Sequence, residues 1–360
     1  MKNTSVRITV AFLTISLLSE ALLSEALLSE AMAIDEITRK GAEKPTRGDI
    51  QLVTRDEVTI KSGIADPVKI PSNEIIDVEW SGEPAELNLA RGFEANGNFT
   101  DAIAGYEKSA ADKALSKKEI KIDIAFLIAR ATARKALEVD PSTLDAAVAK
   151  MDSFVKNNKN SFRYFAAISI LGELQLAKKD YVAAETTFSQ LATAPWADYK
   201  MAAQIAKGRL ALARNDLDAA LASYEAVLSQ SPKGAAEISR RNEALLGKAA
   251  VQIAKKDAAA ALVAISQAIK SASPEDSVVQ AQAYVLKGNA LKDQGKTKEA
   301  ILAYLHVPVL FEKEATLNAE ALYHLAVLWP QVDQPQRGAQ ASADLQANYP
   351  NSAWTKKLGN

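Results

Sequence analysis

The hydrophobic pattern of this chain changes period once. Residues 34–82 alternate apolar and polar positions, as in GDIQLVTRDEVTIKSG, with Ile50, Val53, Val58 and Ile60 expected to point inward. Alternation at period two with β-branched residues predicts strands. VKIPSNEIIDVEW adds two short runs, near 68–70 and 75–80. Pro67 and Pro71 interrupt them and so belong at edges or turns, because proline has no N–H to give a ladder. From residue 83 onward the apolar positions recur at helical spacing, in pairs of segments parted by short polar turns.

The clearest pairs lie between Arg163 and Pro232. Each first helix carries a glycine in mid-helix (Gly172, Gly208), followed twelve residues later by an alanine (Ala184, Ala220) and four after that by an aromatic (Phe188, Tyr224). KKD or RND makes the turn. The small residues are expected to face one another where the two helices cross, and the aromatics to fill the space toward the next pair. One such pair cannot bury both of its apolar faces alone, so pairs must stack. The second-helix alanine serves as a marker: Ala102, Ala147, Ala184, Ala220, Ala261, Ala300 and Ala339 predict about seven hairpins. Their spacings run 45, 37, 36, 41, 39 and 39, so the array should be irregular.

This glycine–alanine–aromatic spacing resembles the tetratricopeptide repeat, a helix–turn–helix unit of about 34 residues. The fold expected is mostly α: a solenoid of antiparallel helix pairs over 83–360, preceded by a small SH3-like or Sm-like β-barrel over 34–82. The bland role expected of that barrel is to cap the first repeat. A nucleic-acid-binding barrel is disfavoured, because no basic–aromatic cluster accompanies it.

Composition adds limits. The 360 residues carry 43 basic and 44 acidic side chains, a formal net charge of −1, so bulk charge implies neither a nucleic acid nor a membrane surface as partner. There is no cysteine, which excludes disulfides and thiolate chemistry, and only two histidines, His306 and His324, both expected in helix packing. Lys2 and Arg7 precede the apolar run ITVAFLTISLL, three copies of LLSEA follow, and Ala31-Met32-Ala33 offers a cleavage pattern. Residues 1–33 are therefore expected to be a signal peptide, and the protein exported, periplasmic or secreted. The alternative is an amphipathic helix at the start of a cytosolic protein. No integral span is expected after signal removal.

Catalytic motifs are missing from the sequence. It has no Gly-rich phosphate loop, HExxH or GxSxG, and Gly295-Lys296-Thr297 lacks the upstream glycine of a phosphate loop. No cofactor or metal is expected. In the repeat family that this chain resembles, first helices line an inner groove. The resemblance places Asn88, Arg91, Glu173, Arg209, Ala250, Asn289 and Lys292 there. Glu173 falls between Arg91 and Arg209, so the set does not make the Lys/Asn/Arg grip on a terminal carboxylate that some family members use. The function expected is a protein–protein interaction scaffold of the cell envelope. Two alternatives are an adaptor subunit of an envelope enzyme and an enzyme with a site at the β–helix junction near Trp80.

Overall fold

The structure, a computed structural model, describes residues 34–359. The expected signal segment lies outside the described residues. Five strands come first: β1 (Asp35–Arg39), β2 (Thr46–Val53), β3 (Glu57–Lys61), β4 (Val68–Pro71) and β5 (Ile75–Glu79). They pair antiparallel in the order β4-β3-β2-β1-β5, with a 3-10 turn at Ser72–Glu74 between β4 and β5. The register of β2 slips between Ile50 and Leu52, and the slip bends the sheet. Ile37, Val58, Ile60, Ile70, Ile75 and Val78 are buried inside the curl, whereas Ile50 and Val53 are only half-buried. Buried Asp35 pins both ends of the bend: its carboxylate accepts from the Ile50 N–H at 2.8 Å and the Ser81 N–H at 2.7 Å.

Seven helical pairs follow: α1 (Ala85–Ala95) with α2 (Phe99–Ala110), α3 (Lys118–Arg134) with α4 (Leu144–Asn157), α5 (Tyr164–Ala177) with α6 (Tyr181–Ser189), and α7 (Ala197–Ala213) with α8 (Leu217–Leu228). Then come α9 (Ala235–Ala254) with α10 (Ala258–Ser271), α11 (Ser277–Asp293) with α12 (Thr297–Leu310), and α13 (Ala315–Leu328) with α14 (Pro335–Asn348). A short α15 (Ala353–Leu358) folds back on α13, where Trp354 meets Tyr323 with ring centroids 5.1 Å apart. It covers the face that the last hairpin would otherwise leave without a neighbour.

Five of the turns within hairpins place a left-handed residue just before the second helix. A single residue takes the left-handed conformation at Gly97, Lys179, Asn215, Lys256 and Gly295. The next residue caps the second helix: Asn98, Asp180, Asp216 and Asp257 each accept from the backbone N–H three residues on. That satisfies one of the orphan donors at a helix start. The polar triplets NGN, KKD and RND therefore encode the turn itself.

At the helix crossings the atoms nearest the mid-helix glycines are not those of the expected alanines. The neighbours of the glycines are aromatic rings. A Cβ on Gly172 would lie 2.4 Å from Phe188, one on Gly208 would lie 2.7 Å from Tyr224, and one on Gly288 would lie 2.5 Å from Tyr304. Tyr224 also abuts Gly247 of the next hairpin, where a Cβ would come within 2.3 Å. Each ring thus fills a notch cut in its own first helix, and Tyr224 fills two. The first hairpin is built the other way, with Gly105 on the second helix against Ala90. The marker alanines Ala102, Ala147, Ala184, Ala220, Ala261 and Ala300 are all fully buried. Ala339 is exposed; its place in the last hairpin is taken by buried Gly338, packed on Pro330 and the Ala326 carbonyl.

First helices of successive hairpins contact one another more extensively than second helices do, so the array curves with its first helices inside. The curve brings the ends together. The five-residue π turn Lys135–Val139, which ends α3, packs against α13. A cleft of about 570 Å³ at that meeting is lined by Gly97 and Phe99 on one side and by Glu314 and Tyr349 on the other.

Candidate functional site

The sheet does more than cap the first hairpin. Its β5 edge lies against first helices of several hairpins, and arginines occupy the carbonyls that a neighbouring strand would otherwise take. Arg163, at the start of α5, donates from Nη1 to the Ile76 carbonyl at 2.8 Å and from Nε to Asp123 of α3 at 2.8 Å. Arg91 of α1 donates to the Val78 carbonyl at 2.7 Å and pairs with Asp77 at 3.1 Å and with Glu83. The Trp80 indole N–H donates to the other Asp123 oxygen at 2.9 Å. Asn73 donates to buried Asp198 of α7 at 3.0 Å. The junction near Trp80, considered as an alternative enzyme site, is thus a closed network of ion pairs and hydrogen bonds. Among the described residues no group of three or more His, Asp or Glu side chains is placed to hold a metal.

Farther along the first helices the polar residues pair between hairpins. Arg130 of α3 holds buried Glu94 of α1 through two hydrogen bonds of 2.8 Å. Arg209 of α7 pairs with Glu173 of α5 and, at 3.7 Å, with Glu243 of α9. Asn289 of α11 donates to Glu320 of α13 at 3.3 Å. Two buried tyrosines reach the same ladder from the second helices: Tyr106 donates to Glu94 at 2.7 Å and Tyr304 to Asn289 at 2.6 Å. Burial raises the hydroxyl of Tyr224 to about 12, with the Arg209 charge opposing.

The expected groove residues therefore have distinct situations. Asn88 is exposed and accepts from Arg91. Arg91 has its guanidinium turned to the sheet. Glu173 and Arg209 are each about a third exposed and paired with one another. Ala250 is half-buried on α9. Asn289 is half-buried between Tyr304 and Glu320. Lys292 has no ion-pair partner among the described residues, and loss of hydration lowers its ammonium below the ordinary lysine value. His324 is buried, stacked on Tyr304 at 4.7 Å, and depressed to about 3, by burial first and then by Lys292 and Lys357. It is a packed neutral imidazole at neutral pH. His306 is half-buried and stacks on Tyr284 at 4.1 Å.

A cavity of about 260 Å³ opens where the sheet meets the first helices. Lys40, Ser72, Asn73, Ile75 and Ile76 come from the sheet side. Phe126 and Arg130, Ile170, Tyr199 and Arg240 come from α3, α5, α7 and α9, with Phe162 and Arg163 just before α5. Sequence reading missed this site, because no local motif links Lys40 to Arg240.

The fold is a tetratricopeptide-type helical array bearing a small open sheet. No family model and no curated protein matches the chain. Solved structures similar in shape include a tetratricopeptide repeat protein from Parabacteroides merdae, at 13% identity and TM-score 0.49, covering 76% of this chain and 95% of that one. A Rap protein complexed with competence and sporulation factor is similar at 12% identity and TM-score 0.49, covering 76% and 79%. PilW, a type IV pilus biogenesis factor, is similar at 14% identity and TM-score 0.42, covering 68% and 100%.

Proposed function

We propose that this chain is a non-catalytic scaffold that holds a segment of a partner protein along its first-helix face. The observation that carries this reading is that face itself. Successive hairpins place their first helices side by side on the inside of the curve, with Glu173, Arg209 and Lys292 partly open to solvent. Ion pairs in that state are worth about 0–1 kcal/mol, so a partner's backbone and side chains can exchange with them at little cost.

The test uses Arg209→Ala with Lys292→Ala. Arg91 and Asn289 are spared because they hold the sheet and a buried tyrosine. Proteins captured by the wild-type chain are first identified by mass spectrometry, and their affinities are then measured with purified components. The double variant should lose at least tenfold in affinity while its melting stays within about 1 kcal/mol of wild type. Unchanged affinity would move the site off this face.

The place of action proposed is the cell envelope, after export. The support is the basic start, the apolar run and Ala31-Met32-Ala33. Terminal sequencing of protein from native cells should read Ile34 first. Intact Met1 in the cytosol would overturn export.

A further inference from the structure

We propose that the cavity between the sheet and the first helices binds a carboxylate carried on a short apolar body. Four cationic side chains line it, Lys40, Arg130, Arg163 and Arg240, and no carboxylate does. Each arginine is oriented from behind by an acid: Arg130 by Glu94, Arg163 by Asp123 and Asp77, and Arg240 by Glu243 at 2.6 Å. These acids offset the overall charge, but they spare part of the donor capacity. Arg130 keeps Nη1 and Arg240 keeps Nε and Nη2 without hydrogen-bond partners among the described residues. Lys40 has no ion pair there either. Its ammonium is held below the ordinary lysine value, first by loss of hydration and then, against the pull of Asp198, by repulsion from Arg240. An anion between the two cations would relieve that repulsion through charge-assisted hydrogen bonds.

The wall supplies a second observation. Ser72 is 8% exposed, and its hydroxyl is buried with no partner. Native structures rarely leave such a group unsatisfied, and a ligand or an ordered water ordinarily completes it. Tyr199 adds a hydroxyl for which no hydrogen bond is formed within the described residues, and burial raises it to about 12, so it remains a donor. Phe126, Phe162, Ile75, Ile76 and Ile170 give the rest of the lining an apolar surface. A bare inorganic anion would leave that surface wet. A carboxylate on a branched or unbranched chain of a few carbons matches both parts, in a space of about 260 Å³. The source of that chemistry is either a free small acid or the end of a polypeptide. Neither Arg209 nor Lys292 lines the cavity, although Arg209 and Arg240 share Glu243, and the cavity does not depend on the scaffold reading.

The test is calorimetric titration of the whole chain with 4-methylpentanoate at constant ionic strength. The amide 4-methylpentanamide, inorganic phosphate, and a tetrapeptide with a free C-terminal leucine serve as comparisons. The acid should bind at least tenfold more tightly than the amide and than phosphate, and should raise the melting temperature as ligand linkage requires. Lys40→Gln and Arg240→Gln should each weaken the acid at least tenfold, and Lys44→Gln, outside the cavity, should not. Binding of the peptide as well as the acid would assign a chain end; binding of the acid alone would assign a small molecule. Amide or phosphate binding equal to the acid, or variants that bind like wild type, would overturn the proposal. Melting of each variant without ligand separates loss of binding from loss of folding.

Discussion

Asp123→Ala is expected to destabilise the folded chain by about 3–5 kcal/mol. Asp123 is 1% exposed, and its two oxygens accept from the Arg163 Nε and the Trp80 indole. The Arg163 side chain is only 5% exposed. Removing the acid leaves a buried guanidinium facing the Ile76 carbonyl and Asp77, whose charge is already shared with Arg91. The indole N–H loses its acceptor as well. Uncompensated burial of a charge costs more than the pair contributes net, which is why the single removal is severe. Denaturant unfolding followed by tryptophan fluorescence, to which Trp80 and three other tryptophans contribute, reads the loss of stability. A change under about 1 kcal/mol would mean that water reaches Arg163, and that the sheet is held mainly by its apolar contacts.

Tyr224→Ala should cost a similar amount, about 3–5 kcal/mol, by emptying a close-packed site. The ring is 1% exposed and fills the notches at Gly208 and Gly247 at once, so its loss opens space in two hairpins. Tyr224→Phe keeps the ring and should be far milder, because no hydrogen bond of the hydroxyl is formed within the described residues. Gly247→Val tests the same contact from the other side, since its Cβ would have to displace the ring. If Tyr224→Ala and Tyr224→Phe melt alike, the ring is not what spaces the two hairpins.

The array was readable because its signals are local. A marker alanine and its aromatic lie four residues apart on one helix, and the turn triplets specify both a left-handed residue and a cap. What escaped was pairing across distance. Size alone pairs Gly172 with Ala184, yet the side chain nearest its notch is the larger Phe188. Gly247 carries no local signal, since the residue that needs it, Tyr224, belongs to the preceding hairpin. Arg91 read as a groove charge because nothing near it in sequence shows that strand β5 lies opposite. Arg163 and the Ile76 carbonyl are 87 residues apart, and neither letter specifies the other.

Stacked helical pairs ordinarily behave as an open spring: the end units fray first, and the pitch stretches to suit whatever lies inside. Here the turn at Lys135–Val139 rests on α13, so the last hairpin leans on the second. The spring is latched. Peeling away the final hairpin must also strip a surface near the beginning, which ties the two ends into one cooperative event. The latch also fixes the width of the interior before anything enters it. A guest that fits finds the space already shaped, and one that is too wide must first break the contact between the ends.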